Sequence, residues 1–305
     1  MITALCLNPS LDRTVYVERL ERGGTNRVLR EQTVPGGKGV NVARMMASFG
    51  LPSRAALFLG REDERLMEET LSLWGCGMRA VMLDGALRVN IKVMDQSRGE
   101  ITELNAPGSP VNDRQLEAME DLVIESAAQS RWLCLCGSLP PGCPDGYYAR
   151  LIRGVRRRAP ACRIALDASG ESFRLALREG PDLIKPNLDE LSAYTGYAIE
   201  DADDARRGIE ALRKGGAGDI ILSMGARGAR LYAGGAVLHA SGLKVPVVTT
   251  VGAGDAMLSG YIAGLEEGLS RKEAFRLAAA AAAARVAGQE ERREEYVRLI
   301  GVREE

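Results

Sequence analysis

Histidine is almost missing from this chain: His239 is the only one in 305 residues. Ser-His-Asp and Cys-His mechanisms are therefore excluded, as is a histidine-rich metal centre, and a general base has to be a carboxylate or a lysine. An excess of charge is missing too. The 40 Lys and Arg residues balance 41 Asp and Glu for a net charge of -1, so no overall field favours nucleic acid or an anionic membrane, and any basic site has to be local. No apolar run approaches the roughly 18 residues that cross a bilayer. Met1-Ile2-Thr3-Ala4-Leu5 carries no charged segment ahead of its apolar stretch, and the expectation is a cytoplasmic protein with no membrane or nucleic-acid partner. The six cysteines (Cys6, Cys76, Cys134, Cys136, Cys143 and Cys162) never take the C-x-x-C spacing of a zinc site, and reduced thiols are expected. Cys134 and Cys136 alternate with Leu133 and Leu135 in what reads as a buried strand, where cysteine acts as a small apolar residue. There is also neither a G-x-x-x-x-G-K-[ST] loop nor a dinucleotide fingerprint, and the lack of the second argues against hydride transfer.

What the chain does have is a regular alternation of strand-like and helix-like segments, enough for one large α/β domain or two small ones at roughly 100–200 residues each. Apolar runs predict strands over 2–7, 55–59, 78–82, 132–136, 163–166, 182–185 and 219–223. Apolar residues at helical intervals, such as Val42, Met45, Met46 and Phe49, predict helices between them, among them 64–73, 147–157 and 202–214. That order argues for a mostly parallel sheet covered on both faces. Polar-apolar alternation breaks the rhythm twice, at 13–17 with 27–34 and at 88–93 with 100–104. Each pair reads as a hairpin, and the two together predict a small sheet projecting from the main domain. The β-branched run 245–251 reads as extended chain, and the charged tail 290–295 as a solvated helix. No internal repeat or linker divides the chain.

Glycine marks two helix entries. In Val251-Gly252-Ala253-Gly254-Asp255-Ala256-Met257 the glycines precede Met257, Leu258, Tyr261, Ile262 and Leu265 at helical spacing. Such a turn presents consecutive N–H groups at the positive end of a helix dipole and can hold an oxyanion, with Asp255 as a proton acceptor beside it. A plain loop with a dipole-complementing aspartate is the other reading. Pro35-Gly36-Gly37-Lys38-Gly39-Val40-Asn41 is the second entry, where a ligand can approach the backbone and Lys38 and Asn41 supply charge and hydrogen bonds; an exposed lysine at a helix start is the alternative. Asp12 lies just past the first strand, a place that favours a functional carboxylate. Arg88, Asn90 and Lys92 share one strand face, either as an anion contact or as a solvated surface. Asp12, Gly36-Gly37-Lys38, Ser138, Asn187, Gly225 and Asp255 all follow predicted strands or open helices, so one rim collects them. A carboxylate, an anion hole and several cations on one rim suit phosphoryl transfer.

These segments resemble the ribokinase-like (PfkB) carbohydrate kinases over essentially the full length, and most the branch of bacterial 1-phosphofructokinases and tagatose-6-phosphate kinases. The resemblance is carried by Leu7-Asn8-Pro9-Ser10-Leu11-Asp12, Gly36 to Ala43, Gly137-Ser138-Leu139-Pro140, Lys185-Pro186-Asn187-Leu188-Asp189-Glu190 and Val251 to Asp255. It implies a three-layer α/β/α fold with a mostly parallel central sheet and a small β-sheet lid. The core would comprise 1–9, 36–86 and 105–305, the lid 10–35 and 87–104, and a homodimer would form through the lid. It also implies roles. Asp255 would be the base, with Gly252, Ala253 and Gly254 stabilising the transferred phosphoryl group. Asp12, Gly36, Gly37 and Asn41 would orient the sugar, and Lys38, Arg88, Ser138 and Arg27 would hold its phosphate. Lys185, Asn187, Ser223, Gly225, Gly228 and Gly254 would border ATP, with Ala279 and Ala282 beside the adenine. Asn187 and Glu190 would hold Mg²⁺ through water, and a monovalent cation is a further expectation. Arg88-Val89-Asn90-Ile91-Lys92 and Gly99 to Asn105 look most like the 1-phosphofructokinases, which implies phosphorylation of fructose 1-phosphate on its 6-hydroxyl to give fructose 1,6-bisphosphate. Tagatose-6-phosphate kinase and 6-phosphofructokinase activities are the nearest alternatives, and a non-catalytic sugar-phosphate sensor is a distant one. Leu87 departs from the family, which usually has threonine before the arginine.

Overall fold

The computed structural model describes residues Met1–Glu305. The chain opens with β1 (Ile2–Cys6), whose Ile2, Ala4 and Cys6 pack to one side and Leu5 to the other. It then leaves the main sheet for the hairpin β2 (Ser10–Val17) and β3 (Arg30–Gly36), and returns through α1 (Lys38–Ser48) to β4 (Ser53–Gly60). Next come α2 (Glu64–Leu73) and β5 (Gly77–Leu83), then the second hairpin, β6 (Arg88–Asp95) and β7 (Glu100–Leu104). From there strand and helix alternate: α3 (Asp113–Ala128), β8 (Trp132–Cys136), α4 (Tyr147–Arg158), β9 (Arg163–Asp167), α5 (Gly170–Leu177), β10 (Leu183–Ile184), α6 (Leu188–Thr195), α7 (Ala202–Lys214) and β11 (Asp219–Ser223). The chain ends with β12 (Ala229–Ala233), β13 (Ala236–Ala240), α8 (Ala253–Glu266), α9 (Arg271–Val286), α10 (Arg293–Leu299) and β14 (Val302–Glu304).

Ten strands form the main sheet in the order β14-β13-β12-β11-β10-β9-β8-β1-β4-β5. The seven from β11 to β5 run parallel, and β12, β13 and β14 add an antiparallel edge. Strands buried on both faces read as unbroken apolar runs, which is why Trp132 to Cys136 and Ala55 to Leu59 lack alternation. One core cluster lies between the sheet and α1, α2, α8, α9 and α10; a second lies on the other face under α3, α4, α5, α6 and α7. The architecture is therefore the expected three layers. The two hairpins form a separate four-stranded sheet, β3-β2-β6-β7, joined by a parallel β2–β6 pair.

Three local expectations are corrected, and one helix is added. Residues 245–251 join no strand: β13 already pairs with β12 and β14, Pro246 lacks a ladder donor, and Val247 is 71% exposed. Asp12 lies within β2 of the small sheet rather than past a strand end. The tail is a short 3-10 turn followed by α10, and Glu290 is tied to Arg44 and Arg285 instead of being merely solvated. Helix α5 went unpredicted although Phe173, Ala176 and Leu177 mark its buried face, because the polar start Gly170-Glu171-Ser172 reads as loop. No helix is long and apolar enough to cross a membrane.

Candidate active site

From β1 the chain steps to β4 and β5 on one side, then resumes at β8 and continues to β11 on the other. The strand order thus reverses between β1 and β8, and a crevice opens beyond their carboxyl ends. A cavity of about 580 Å³ occupies it, and only 4 of its 26 lining residues are hydrophobic, which suits a strongly polar ligand. Its floor is set by register. Cys6 pairs with Cys136, and Cys136 with Asp167, so these three lie in one row across the sheet. Lys185 follows immediately after the Ile184↔Leu166 pair and so comes beside Asp167.

Helix α8 points its N-terminus at this floor. Gly252 caps it with φ +79°, a left-handed conformation that glycine adopts without strain. The first amides of a helix have no intrahelical acceptors; that of Ala253 turns back weakly to Thr250 O at 3.3 Å. Asp255 in the first turn is 4% exposed and accepts a hydrogen bond from Asn41 Nδ2 at 2.9 Å. Burial, and then the neighbouring Asp167 carboxylate, push the Asp255 carboxyl up to about 6, while Asn41, Lys38 and Lys185 hold it back.

Asp167, which the sequence marks only as the residue after the predicted strand 163–166, organises the cations. Its Oδ1 accepts from Lys38 Nζ at 2.9 Å, and its Oδ2 lies 3.6 Å from Lys185 Nζ. That Oδ2 is buried without a hydrogen-bond partner. Burial acts against the Asp167 carboxylate, but Lys185 and Lys38 outweigh it and hold the carboxyl below its usual range. Burial likewise opposes the charged Lys38, and Asp167 with Glu190 and Asp255 more than offsets it, so the ammonium stays charged. A Cβ on Gly254 would stand 2.9 Å from Lys185 Nζ and would push the ammonium aside.

The small sheet closes the other side. Asp12 Oδ1 accepts from Ser10 Oγ (2.8 Å) and Asn90 Nδ2 (3.1 Å), and Oδ2 from Lys92 Nζ (2.7 Å). Burial opposes the Asp12 carboxylate, but these donors, Lys92 first, keep its carboxyl below the usual range. Gly36 serves this residue: a Cβ there would lie 2.5 Å from Asp12 Cγ. Arg88 spends three N–H groups on backbone, donating to Pro9 O (3.3 Å), Ala106 O (2.8 Å) and Asn8 O (2.8 Å). It therefore bolts together the junctions through which the chain enters and leaves the small sheet. Two of the five guanidinium N–H groups remain for a ligand.

Of the residues singled out from sequence, Asp12, Gly37, Lys38, Asn41, Arg88, Ser138, Lys185, Asn187, Glu190, Ser223, Gly252, Gly254 and Asp255 line the cavity. Gly36, Ala253, Gly225, Gly228, Ala279 and Ala282 lie outside its lining, and Arg27 is exposed on the connection between β2 and β3. Gly228 has a packing reason, since a Cβ there would meet Ala240 O at 2.0 Å. Asn187 and Glu190 cap α6 reciprocally, Glu190 N on Asn187 Oδ1 (2.7 Å) and Asn187 N on Glu190 Oε2 (2.9 Å). Glu190 Oε1 is left over, and no group of three His, Cys, Asp or Glu side chains converges to hold a metal directly. The residues therefore fit a cation held through water and shared with a ligand's phosphates, as hydrated Mg²⁺ commonly is. Asp167, Lys92, Asn90 and Glu103 also line the cavity. Lys92 and Asn90 carried a strand-face signal; Asp167 had none beyond its strand end.

The chain is 37% identical over 280 residues to a 1-phosphofructokinase of Rhodobacter capsulatus, covering 92% of this chain and 88% of that one. It is 32% identical over 300 residues to a 1-phosphofructokinase of Bacillus subtilis, covering 98% and 97%. Among solved structures, phosphofructokinase-2 from Escherichia coli in complex with potassium superposes with a TM-score of 0.90 at 28% identity, covering 98% of each chain. The profile of the pfkB family carbohydrate kinases matches residues 6–292, and with the switch-point cavity and its glycine-capped aspartate the chain belongs to that family.

Proposed function

We propose that this protein transfers the γ-phosphoryl group of ATP to the 6-hydroxyl of fructose 1-phosphate, giving fructose 1,6-bisphosphate and ADP. The observation that carries the reading is Asp255, a buried carboxylate poised near 6 at the open N-terminus of α8 and faced by Lys38 and Lys185. The relatives named 1-phosphofructokinase favour fructose 1-phosphate over other ketose phosphates.

In this reading Asp255 takes the proton of the 6-hydroxyl as its oxygen attacks the γ-phosphorus, the bond to the β-phosphate oxygen breaks, and ADP leaves. Asn41 aims the carboxylate, and the amides at Gly252 to Gly254 meet the charge that builds on the transferred oxygens. Lys185, Asn187 and Ser223 face the nucleotide, Gly225 and Gly228 border it, and Ala279 and Ala282 lie beside the adenine. Glu190 and Asn187 would hold Mg²⁺ through water, and the bound ion would neutralise phosphate charge. A monovalent cation, as in the potassium complex of phosphofructokinase-2, belongs to the same proposal. Asp12, Gly36 and Gly37 orient the sugar. Lys38, Ser138 and the two spare N–H groups of Arg88 take its phosphate.

Residues 10–35 and 87–104 act as a lid on a core of 1–9, 36–86 and 105–305. Val28, Leu29, Ile101 and Leu104 leave large apolar surface exposed on that lid, which favours a homodimer through it. Arg27, exposed beside Val28, then serves the partner's cavity rather than its own.

The test is ADP release with fructose 1-phosphate, fructose 6-phosphate and tagatose 6-phosphate, compared as kcat/KM. Fructose 1-phosphate should lead. A lead by either other sugar changes the substrate, and tight sugar binding without ADP release in any case would make the protein a sensor.

A further inference from the structure

With no strand leading into Gly252, something else has to fix the turn that carries the anion hole. Residues 241–250 join no ladder; Val248 N and Thr249 N donate to a single carbonyl, Val286 O, at 2.8 and 3.2 Å. Val251 N folds onto its own neighbour, Thr249 Oγ1 (3.1 Å). The next contact is a side chain: Arg285 Nε, near the end of α9, donates to Val251 O at 3.0 Å. Arg285 Nη1 donates in turn to Glu290 Oε1 (3.0 Å), which also accepts from Arg44 Nη2 (2.9 Å). Arg44 stands three residues after Asn41 on α1, so one helix steadies both Asp255 and the Glu290–Arg285 pair.

The peptide joining Val251 to Gly252 is trans, so its C=O and N–H point in opposite directions. Pinning Val251 O against α9 turns Gly252 N–H the other way, and both residues line the cavity. Glycine at 252 leaves that peptide free to flip, because positive and negative φ cost it about the same. A Cβ on Gly252 would lie 3.3 Å from Arg285 Nε, which puts the guanidinium directly behind the turn.

We infer that Arg285 is a positioning residue for phosphoryl transfer: it locks the Val251–Gly252 peptide with its N–H toward the cavity and keeps a cation behind the anion hole. The inference rests on the kinase reading. Nothing else in the structure holds that carbonyl, so its removal should cost transition-state stabilisation rather than binding.

Arg285→Ala should lower kcat by about 10- to 100-fold, less than the roughly 100- to 1,000-fold for deleting an oxyanion donor itself, because Arg285 acts through the turn, with KM for sugar phosphate and ATP changed less than about threefold. Added guanidinium ion should restore part of the variant's kcat and none of the wild type's. Arg285→Lys should fall between. Glu290→Gln, which loosens the guanidinium without removing it, should give a smaller loss and covers the case in which Arg285→Ala fails to fold. Amide hydrogen exchange at Gly252 to Asp255 should rise in both variants with exchange elsewhere unchanged. Wild-type kcat in Arg285→Ala, or a raised KM for ATP at unchanged kcat, overturns the role. If the wild-type protein phosphorylates no sugar phosphate, the kinase reading fails, and the exchange measurement still decides whether Arg285 holds the turn.

Discussion

Burial and the Asp167 carboxylate both work against ionisation of Asp255, and the carboxyl rises from 3.8 to about 6. Two consequences follow at the residue scale. A base that must be ionised gives a kcat/KM that falls about tenfold per pH unit below that value; a flat profile from pH 5 to 8 would assign the proton to another group. The second concerns stability. Because the folded pKa lies above the unfolded one, the folded state binds more protons between the two, so stability declines as pH rises through that window and stays low above it. Asp255→Asn should therefore raise Tm by several degrees near pH 7.5, with the gain shrinking toward pH 4, while turnover collapses. A lower Tm at neutral pH would mean the carboxylate is stabilising where it sits. Asp255 was legible in the sequence because glycine, helical spacing and an acidic first turn occur together. Asp167 was not: a lone aspartate after a strand looks the same whether it faces solvent or two lysines, and only the alignment of β1, β8 and β9 distinguishes these.

At the scale of elements, two helices and one strand start fix the most strongly tied side chains of the site. Helix α1 carries Lys38 to Asp167 and Asn41 to Asp255, and α8 supplies the capped turn. Arg88 opens β6 and joins the loops at Asn8, Pro9 and Ala106 by a planar fork. Arg88→Ala should raise KM for the sugar phosphate far more than for ATP, because the small sheet loses its anchorage. Arg88→Lys should resemble Arg88→Ala, since a point charge cannot reach three carbonyls. Full recovery by lysine would mean that charge alone matters. The helices of the site were readable from their glycine entries and apolar spacing. The stretch 245–251 was misread because β-branched residues report a liking for a half-buried pleated surface and not the presence of a partner strand. The bracing role of Arg88 was invisible beside its reading as an anion contact or solvated residue, since hydrogen bonds to distant carbonyls leave no mark in a sequence.

For the molecule as a whole, the alternation of strands and helices disclosed the three layers, and the two alternating hairpins disclosed the second sheet. What sequence could not disclose is the order of strands, and with it the reversal beside β1 that gathers residues from 6 to 255 around one cavity. The parallel β2–β6 pair that unites the hairpins was hidden for the same reason. Leu29 and Leu104 are exposed apolar side chains on the proposed lid. Leu29→Glu combined with Leu104→Glu should shift a dimer to monomer in sedimentation and raise KM for the sugar phosphate if Arg27 serves the partner; an unchanged dimer would place the interface elsewhere. The central claim is that Asp255 takes the proton from a ketose phosphate hydroxyl at this cavity. Its most direct test is ADP release with fructose 1-phosphate for wild-type protein and Asp255→Asn. We predict robust turnover to fructose 1,6-bisphosphate in the first, and in the second a loss of about a thousandfold or more with nucleotide binding retained; near-normal turnover in Asp255→Asn would contradict the account.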